Sequence, residues 1–142
     1  RVGTTNWRGQ FVLYLIHQFH PNLSSWKMTK YFKKEELSWV ESAVRGGTVM
    51  KKSNIREGDF DIRSAYFRMP KGMIIPSHTH SSWVQVVVLE GQMQIETEDD
   101  GIVSVAAGGS YFVEPEETHI ETAMEDTLVL VTQGEDRPDF IK

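Results

Sequence analysis

MQIETEDDGIVSVAAG, residues 93–108, is two runs rich in β-type side chains on either side of an acidic turn. Asp100-Gly101 stands at that turn, and Asp-Gly between such runs is the strongest short-range signal for a β-hairpin. The stretch therefore predicts two antiparallel strands, QMQIETE (92–98) and GIVSVAA (101–107). The same texture continues outward in DIRSAYFRM (61–69), WVQVVVLE (83–90), SYFVE (110–114), HIETAM (119–124) and TLVLVTQ (127–133). Pro70-Lys71-Gly72, Gly91, Gly108-Gly109, EPEE (114–117) and MED (124–126) separate these runs. Strands that recur about every 8–12 residues between turn residues indicate a β-sandwich or barrel. No helical crossover interrupts them, which argues against a parallel sheet. The expectation is one all-β antiparallel domain over residues 47–134, with a short tail over 135–142.

The N-terminal third reads differently. Residues 1–26 show no sustained period and are expected to form an arm, with domain residues 1–46 comprising this arm and one short helix. The helix is expected in KKEELSWVESAV (33–44), where Leu37, Val40 and Val44 fall at helical spacing and Gly46-Gly47 ends the run. The apolar FVLYLI (11–16) is far too short to span a bilayer. His17 and His20 in HQFHP (17–21) read as surface or interface residues rather than ligands.

Composition narrows the function. The 142 residues suit a single domain, and 39% hydrophobic content is enough for one core. The absence of cysteine rules out disulfides and thiolate metal sites. The net charge of −5 divides into +7 over residues 1–56 and −12 over residues 57–142. KMTKYFKK (27–34) interleaves lysines with Tyr31 and Phe32, but one short basic cluster is the edge of a solvated element more often than a nucleic-acid patch. The acidic remainder argues further against a nucleic-acid partner. A soluble, cytoplasmic protein with neither a nucleic-acid nor a membrane partner is expected.

The histidines carry the chemistry. His78 and His80 lie two residues apart at the start of the most apolar run, so on an extended strand both rings point to one face. Two imidazoles so placed suit one transition-metal ion, and His119, at the start of a later strand, is a third candidate. The alternative, that the three are ordinary core or surface histidines, accounts less well for all three standing at strand starts.

GMIIPSHTHSSWVQVVVLEG (72–91) resembles the first motif of the cupins, in which a glycine, five residues, HxH, an acidic ligand and a VLxG turn occur in order. Gly72, His78, His80 and Gly91 match. GGSYFVEPEETHIETA (108–123) resembles the second motif through Gly108 and His119, with Pro115 displaced by one position. The resemblance covers residues 60–133 and implies an antiparallel jelly roll, commonly a homodimer, with one divalent transition metal (Fe, Ni, Mn, Co or Zn). The arm is then a candidate for crossing between subunits.

The chain departs from the motifs in two places. The acidic ligand is missing: aligned from Gly91 its place falls on Val84, and aligned from His80 the longer spacing falls on Gln85. A His, His, Gln, His set resembles that of small cupins acting on unsaturated uronates, so the implied metal ligands are His78, His80, Gln85 and His119. The other possibility is that Gln85 points outward and the protein supplies three ligands. In the second motif, Glu116 replaces a glycine and Ala123 an asparagine, which suggests a different turn.

Neutral ligands alone would leave the ion's double charge uncompensated and favour an anionic or enolisable ligand. Tyr66 and Arg68 alternate on the preceding strand. If they face inward, Arg68 pairs with a substrate carboxylate and Tyr66 donates a proton, as catalytic residues. With the opposite parity, Phe67 and Met69 are core and Arg68 lies on the surface. Trp83 and Tyr111 read as core or pocket wall. The resemblance implies a metal-dependent enzyme acting on a small anionic or dicarbonyl-like molecule. Its chemistry would be that of a dioxygenase-type oxidoreductase or of a Lewis-acid isomerase or lyase. The alternative is a non-catalytic cupin that binds a small ligand such as a sugar acid.

Overall fold

The structure is a computed structural model that describes residues 29–44, 49–56 and 61–134. The arm over 1–26 with its histidines, the Gly46-Gly47 stop and the tail over 135–142 lie outside the described residues. The chain divides into two units, residues 1–33 and 34–142. The described part of the first, residues 29–33, has no helix or strand.

Among its described residues the second unit consists of strands and one 3₁₀ turn, Lys34–Glu36. The strands are β1 (Val40–Ala43), β2 (Val49–Arg56), β3 (Ile62–Met69), β4 (Ile74–His78) and β5 (Val84–Glu90), followed by β6 (Gln92–Thr97), β7 (Gly101–Ala106), β8 (Ser110–Val113), β9 (His119–Ala123) and β10 (Thr127–Gly134). They form a six-stranded sheet in the order β1-β2-β3-β10-β5-β8 and a four-stranded sheet in the order β4-β9-β6-β7. Every pairing is antiparallel. From β3 onward the chain changes sheet at each connection except the β6–β7 hairpin, which is the path of a jelly roll.

That hairpin is the one expected from residues 93–108. Thr97 pairs with Gly101, Gly101 takes φ +70°, and the amide of Asp100 donates to Thr97 Oγ1 at 3.1 Å. The passage from β5 to β6 runs through Gly91 at φ +81°, where an added Cβ would lie 2.5 Å from Thr127 Oγ1 and 2.6 Å from the Asp126 carbonyl oxygen. Only glycine meets both demands, the left-handed backbone and the close approach.

The core follows from strand parity. Val84, Val86 and Val88 of β5 are buried and alternate with Gln85, Val87 and Leu89, which are more open. They meet Met69, Met73, Met93, Ile95, Val113, Ala123 and Val129 between the sheets. Met93 and Val88 are fully buried, and each such side chain contributes about 1.5–3 kcal/mol.

The helix expected over residues 33–44 is not formed. One 3₁₀ turn covers Lys34–Glu36 and buries nothing, and Val40–Ala43 is strand β1, paired with β2 through Val40↔Lys52 and Ala43↔Val49. An isolated dodecamer has too little helix stability to resist a neighbouring strand, and its β-branched residues suit the ladder better. Val44 packs against the core, so the apolar positions serve a strand edge instead of a helix face. No helix among the described residues is long and apolar enough to cross a membrane.

Candidate metal centre

The four-stranded sheet brings the histidines together. β4 ends at His78 and β9 begins at His119, and the two residues are direct partners across the antiparallel ladder. His80 lies two residues past the end of β4, and its carbonyl oxygen accepts a 2.7 Å hydrogen bond from the amide of Glu116. Glu116 has φ +65°. The glutamate therefore holds a left-handed backbone conformation that glycine adopts more readily. The turn is clipped to His80 through that amide.

The rings converge. The His78 centroid is 4.8 Å from that of His80 and 4.2 Å from that of His119. One ligand atom from each of the three histidines can be chosen so that all lie within 4.8 Å of one another. His80 and His119 are 5% and 1% exposed, so the convergence is internal to the fold. Nδ1 of His78 is 2.8 Å from the Pro76 carbonyl oxygen, and Nδ1 of His119 is 3.0 Å from that of Glu117. A carbonyl only accepts, so each Nδ1 carries the proton, and in the neutral ring Nε2 keeps its lone pair. The His78 and His80 Nε2 atoms stand 3.1 Å apart. Imidazoles fixed in this tautomer by backbone carbonyls are the arrangement in which histidines bind a metal. Three imidazole nitrogens, two of them on rings fixed in this way, with no sulfur ligand fit a borderline divalent transition ion.

Glu121 adjoins this group. It lies two residues beyond His119 on the same face of β9 and is 9% exposed. Its Oε2 is 4.0 Å from His78 Nε2, and its Oε1 accepts a hydrogen bond from the Tyr111 hydroxyl. Tyr111 belongs to β8 of the other sheet, so this contact joins the two sheets across the interior. Burial raises the Tyr111 phenol well above its usual value. The adjacent Glu121 charge and the hydrogen bond to it act in the same direction.

The sequence-derived site is thus corrected in three places. Gln85 is exposed on the face of β5 opposite Val84, Val86 and Val88, so the pleat turns it away from the histidines and it is no ligand. Val84 points inward, but as a buried valine it offers no donor. Tyr66 and Arg68 lie on the face of β3 opposite Ala65 and Met69. Arg68 is exposed, stacks 5.0 Å from the Trp39 ring and lies 3.8 Å from Glu90. Neither Tyr66 nor Arg68 faces the metal centre as a catalytic group. Trp83 stacks on Phe112, with centroids 5.8 Å apart. The group missed from sequence is the Tyr111–Glu121 pair. The available signal was period-2 spacing, which puts Glu121 on the same face as His119.

Comparison with known proteins agrees with this geometry. A model of the ChrR cupin-like domain family matches residues 27–136. No curated protein matches the chain. Among solved structures the chain is similar to KdgF from a Halomonas species, with 20% identity, 80% of this chain and 100% of that one covered, and a TM-score of 0.64. It is similar to a predicted oxalate decarboxylase from Thermotoga maritima, with 17% identity, 74% and 98% covered, and a TM-score of 0.66. It also resembles the polyketide cyclase RemF from Streptomyces resistomycificus, with 20% identity, 78% and 82% covered, and a TM-score of 0.63. At such identities the likeness establishes the fold. The family match is broader in meaning, since it spans most of the chain and takes in both histidine motifs: the chain belongs to the cupin superfamily, among the ChrR cupin-like domains.

Proposed function

We propose that this cupin holds one divalent transition-metal ion on His78, His80 and His119 and acts on a small, oxygen-rich carbonyl compound. The observation that carries this reading is the convergence of three interior imidazoles, two of them tautomer-fixed by backbone carbonyls. A bound ion would supply Lewis acidity toward a carbonyl or enolate oxygen. The chain's own contribution is orientation: the β4–β9 ladder aligns two rings, and the Glu116 amide anchors the third residue's backbone. Two neighbours in fold, described as a predicted oxalate decarboxylase and a polyketide cyclase, carry names of reactions on carbonyl compounds, which supports that substrate class.

The test begins with elemental analysis of the purified protein. One ion per chain is expected, and replacing any one of the three histidines with Ala should reduce occupancy sharply, since each removes one of few donors. Full metal content in the triple variant would place the ion elsewhere. Turnover is then assayed with dicarbonyl compounds and uronates, following both oxygen uptake and substrate absorbance.

The outward positions of Arg68 and Tyr66 favour a second reading, because they take the expected anion anchor and proton donor out of the interior. In that reading the metal fixes a small ligand without turnover. Saturable binding of the same compounds without product would decide for it.

A further inference from the structure

The first motif lacks its carboxylate, yet a carboxylate is present beside the histidines, contributed by a different strand. We propose that Glu121 supplies the fourth protein donor to the ion through Oε2, with Tyr111 as a positioning residue that holds Oε1. The inference rests on the three-histidine reading above and deepens it.

Three observations converge on it. The first is distance. Donors about 2.1 Å from one ion are about 3.0 Å apart when adjacent at right angles, about 3.4 Å apart in a tetrahedron and about 4.2 Å apart when opposite. His78 and His80 Nε2, at 3.1 Å, have the spacing of adjacent donors. Glu121 Oε2 and His78 Nε2, at 4.0 Å, fall within the same limits as a wide-angle pair. The tight group itself consists of the three histidines, so the carboxylate joins it by a side-chain movement toward the ion.

The second is orientation. Glu121 shares its face of β9 with His119, and its two oxygens have separate surroundings: Oε1 accepts from the Tyr111 hydroxyl, and Oε2 turns toward His78. A carboxylate that binds a metal through one oxygen while the other accepts a hydrogen bond is the usual pattern of a supported ligand.

The third is charge. A buried carboxylate is costly to desolvate and needs a partner, and a divalent ion at the imidazole nitrogens supplies one. The resulting site carries one net positive charge rather than two, so it is less attractive to anions than a site built of neutral ligands.

The experiment uses the full chain, stripped with a chelator and reloaded with Co²⁺. Affinity is measured by chelator competition, and the coordination sphere by the visible Co²⁺ spectrum. Glu121→Gln keeps the side-chain shape and removes the charge. It should lower affinity at least tenfold and shift the Co²⁺ bands. Tyr111→Phe should lower affinity by less, with a smaller band shift. The double variant should bind no more weakly than Glu121→Gln alone, because Tyr111 acts through Glu121.

Affinity within twofold of wild type together with an unchanged spectrum in Glu121→Gln would overturn the proposal. So would a double variant whose losses simply add. Circular dichroism of the metal-free variants controls for folding. Should Glu121→Gln not fold, Glu121→Asp and Tyr111→Phe carry the test, and wild-type affinity and spectra in both would overturn it. If wild type itself retains no Co²⁺, the histidine reading fails as well. A wild type that binds while Glu121→Gln binds equally well sinks only the role given to Glu121.

Discussion

A one-residue difference in strand parity decides the ligand set. Val84 and Gln85 are neighbours on β5 and both were open to the missing donor, but the pleat puts only the valine inside. Gln85→Glu should therefore leave metal affinity within twofold of wild type; a marked gain in affinity would show that residue 85 reaches the ion. The three histidines were legible because the His-X-His spacing and the β-type run that begins at His119 are local features, although His78 ends β4 and His80 lies beyond it, so only His119 stands at a strand start. Glu121 was half legible, since alternation with His119 needs only the strand to be recognised. Tyr111 was not legible, because its contact with Glu121 spans two sheets and depends on long-range strand order. That contact has a pH signature. The Tyr111 pKa is raised above the ordinary 10.0, first by burial and then by Glu121. A group shifted upward in the folded state contributes stability that is fully present below its unfolded pKa and lost as pH rises through the folded value. Metal-free protein should thus lose stability above about pH 10. Of its four tyrosines, the Tyr111 phenol should ionise late, in step with unfolding, and Tyr111→Phe should delete that late component of the tyrosinate absorbance. An unchanged late component in the variant would argue against the pairing.

At the scale of the element, turns proved more tolerant than the motif suggested in one place and less tolerant in another. Glu116 takes φ +65° without being glycine, at a cost of about 1 kcal/mol, while its amide serves His80. Glu116→Gly relieves that cost but loosens the unfolded chain by a similar amount. Thermal melts should show little change, whereas the β-branched Glu116→Val should destabilise clearly. Gly91 is the opposite case, because its missing Cβ would strike Thr127 and the Asp126 carbonyl. Gly91→Ala should cost several kcal/mol, combining overpacking and a disfavoured φ; a melt within a degree or two of wild type would mean that this turn opens freely. The strands that alternate or run β-branched were readable one by one. β1 and β2 were not: Val40 and Val44 fall at spacings that a helix also uses, and VMKKSNIR lacks an unbroken apolar face. Pairing selected the strand in each case, β1 with β2 and β2 with the next strand, β3, and no single segment shows that pairing by itself.

For the whole molecule, the all-β class followed from the regular recurrence of strands and turns, but not the strand order. β10 lies between β3 and β5, separated by more than thirty residues from either partner, and no local pattern encodes such a pairing. This long-range order also ties the metal centre to global stability. His78 and His119 join β4 to β9, Glu116 joins the following turn to His80, and the Tyr111–Glu121 contact reaches the other sheet. An ion held by these groups binds the native arrangement and not the unfolded chain, in which His119 is far along the sequence from the His78–His80 pair. At a free metal concentration about a hundredfold above Kd, that linkage is worth about 2.7 kcal/mol, a shift of about 10 °C for a domain of this size. Chelation of the purified protein should lower Tm by this order, and readdition of the ion should restore it. The His119→Ala variant should melt at the same temperature with and without metal. If chelator and metal leave the wild-type Tm unchanged while the histidines demonstrably hold the ion, the ligands must stay gathered in the denatured chain. The long-range order of the sheets would then not be what assembles the site.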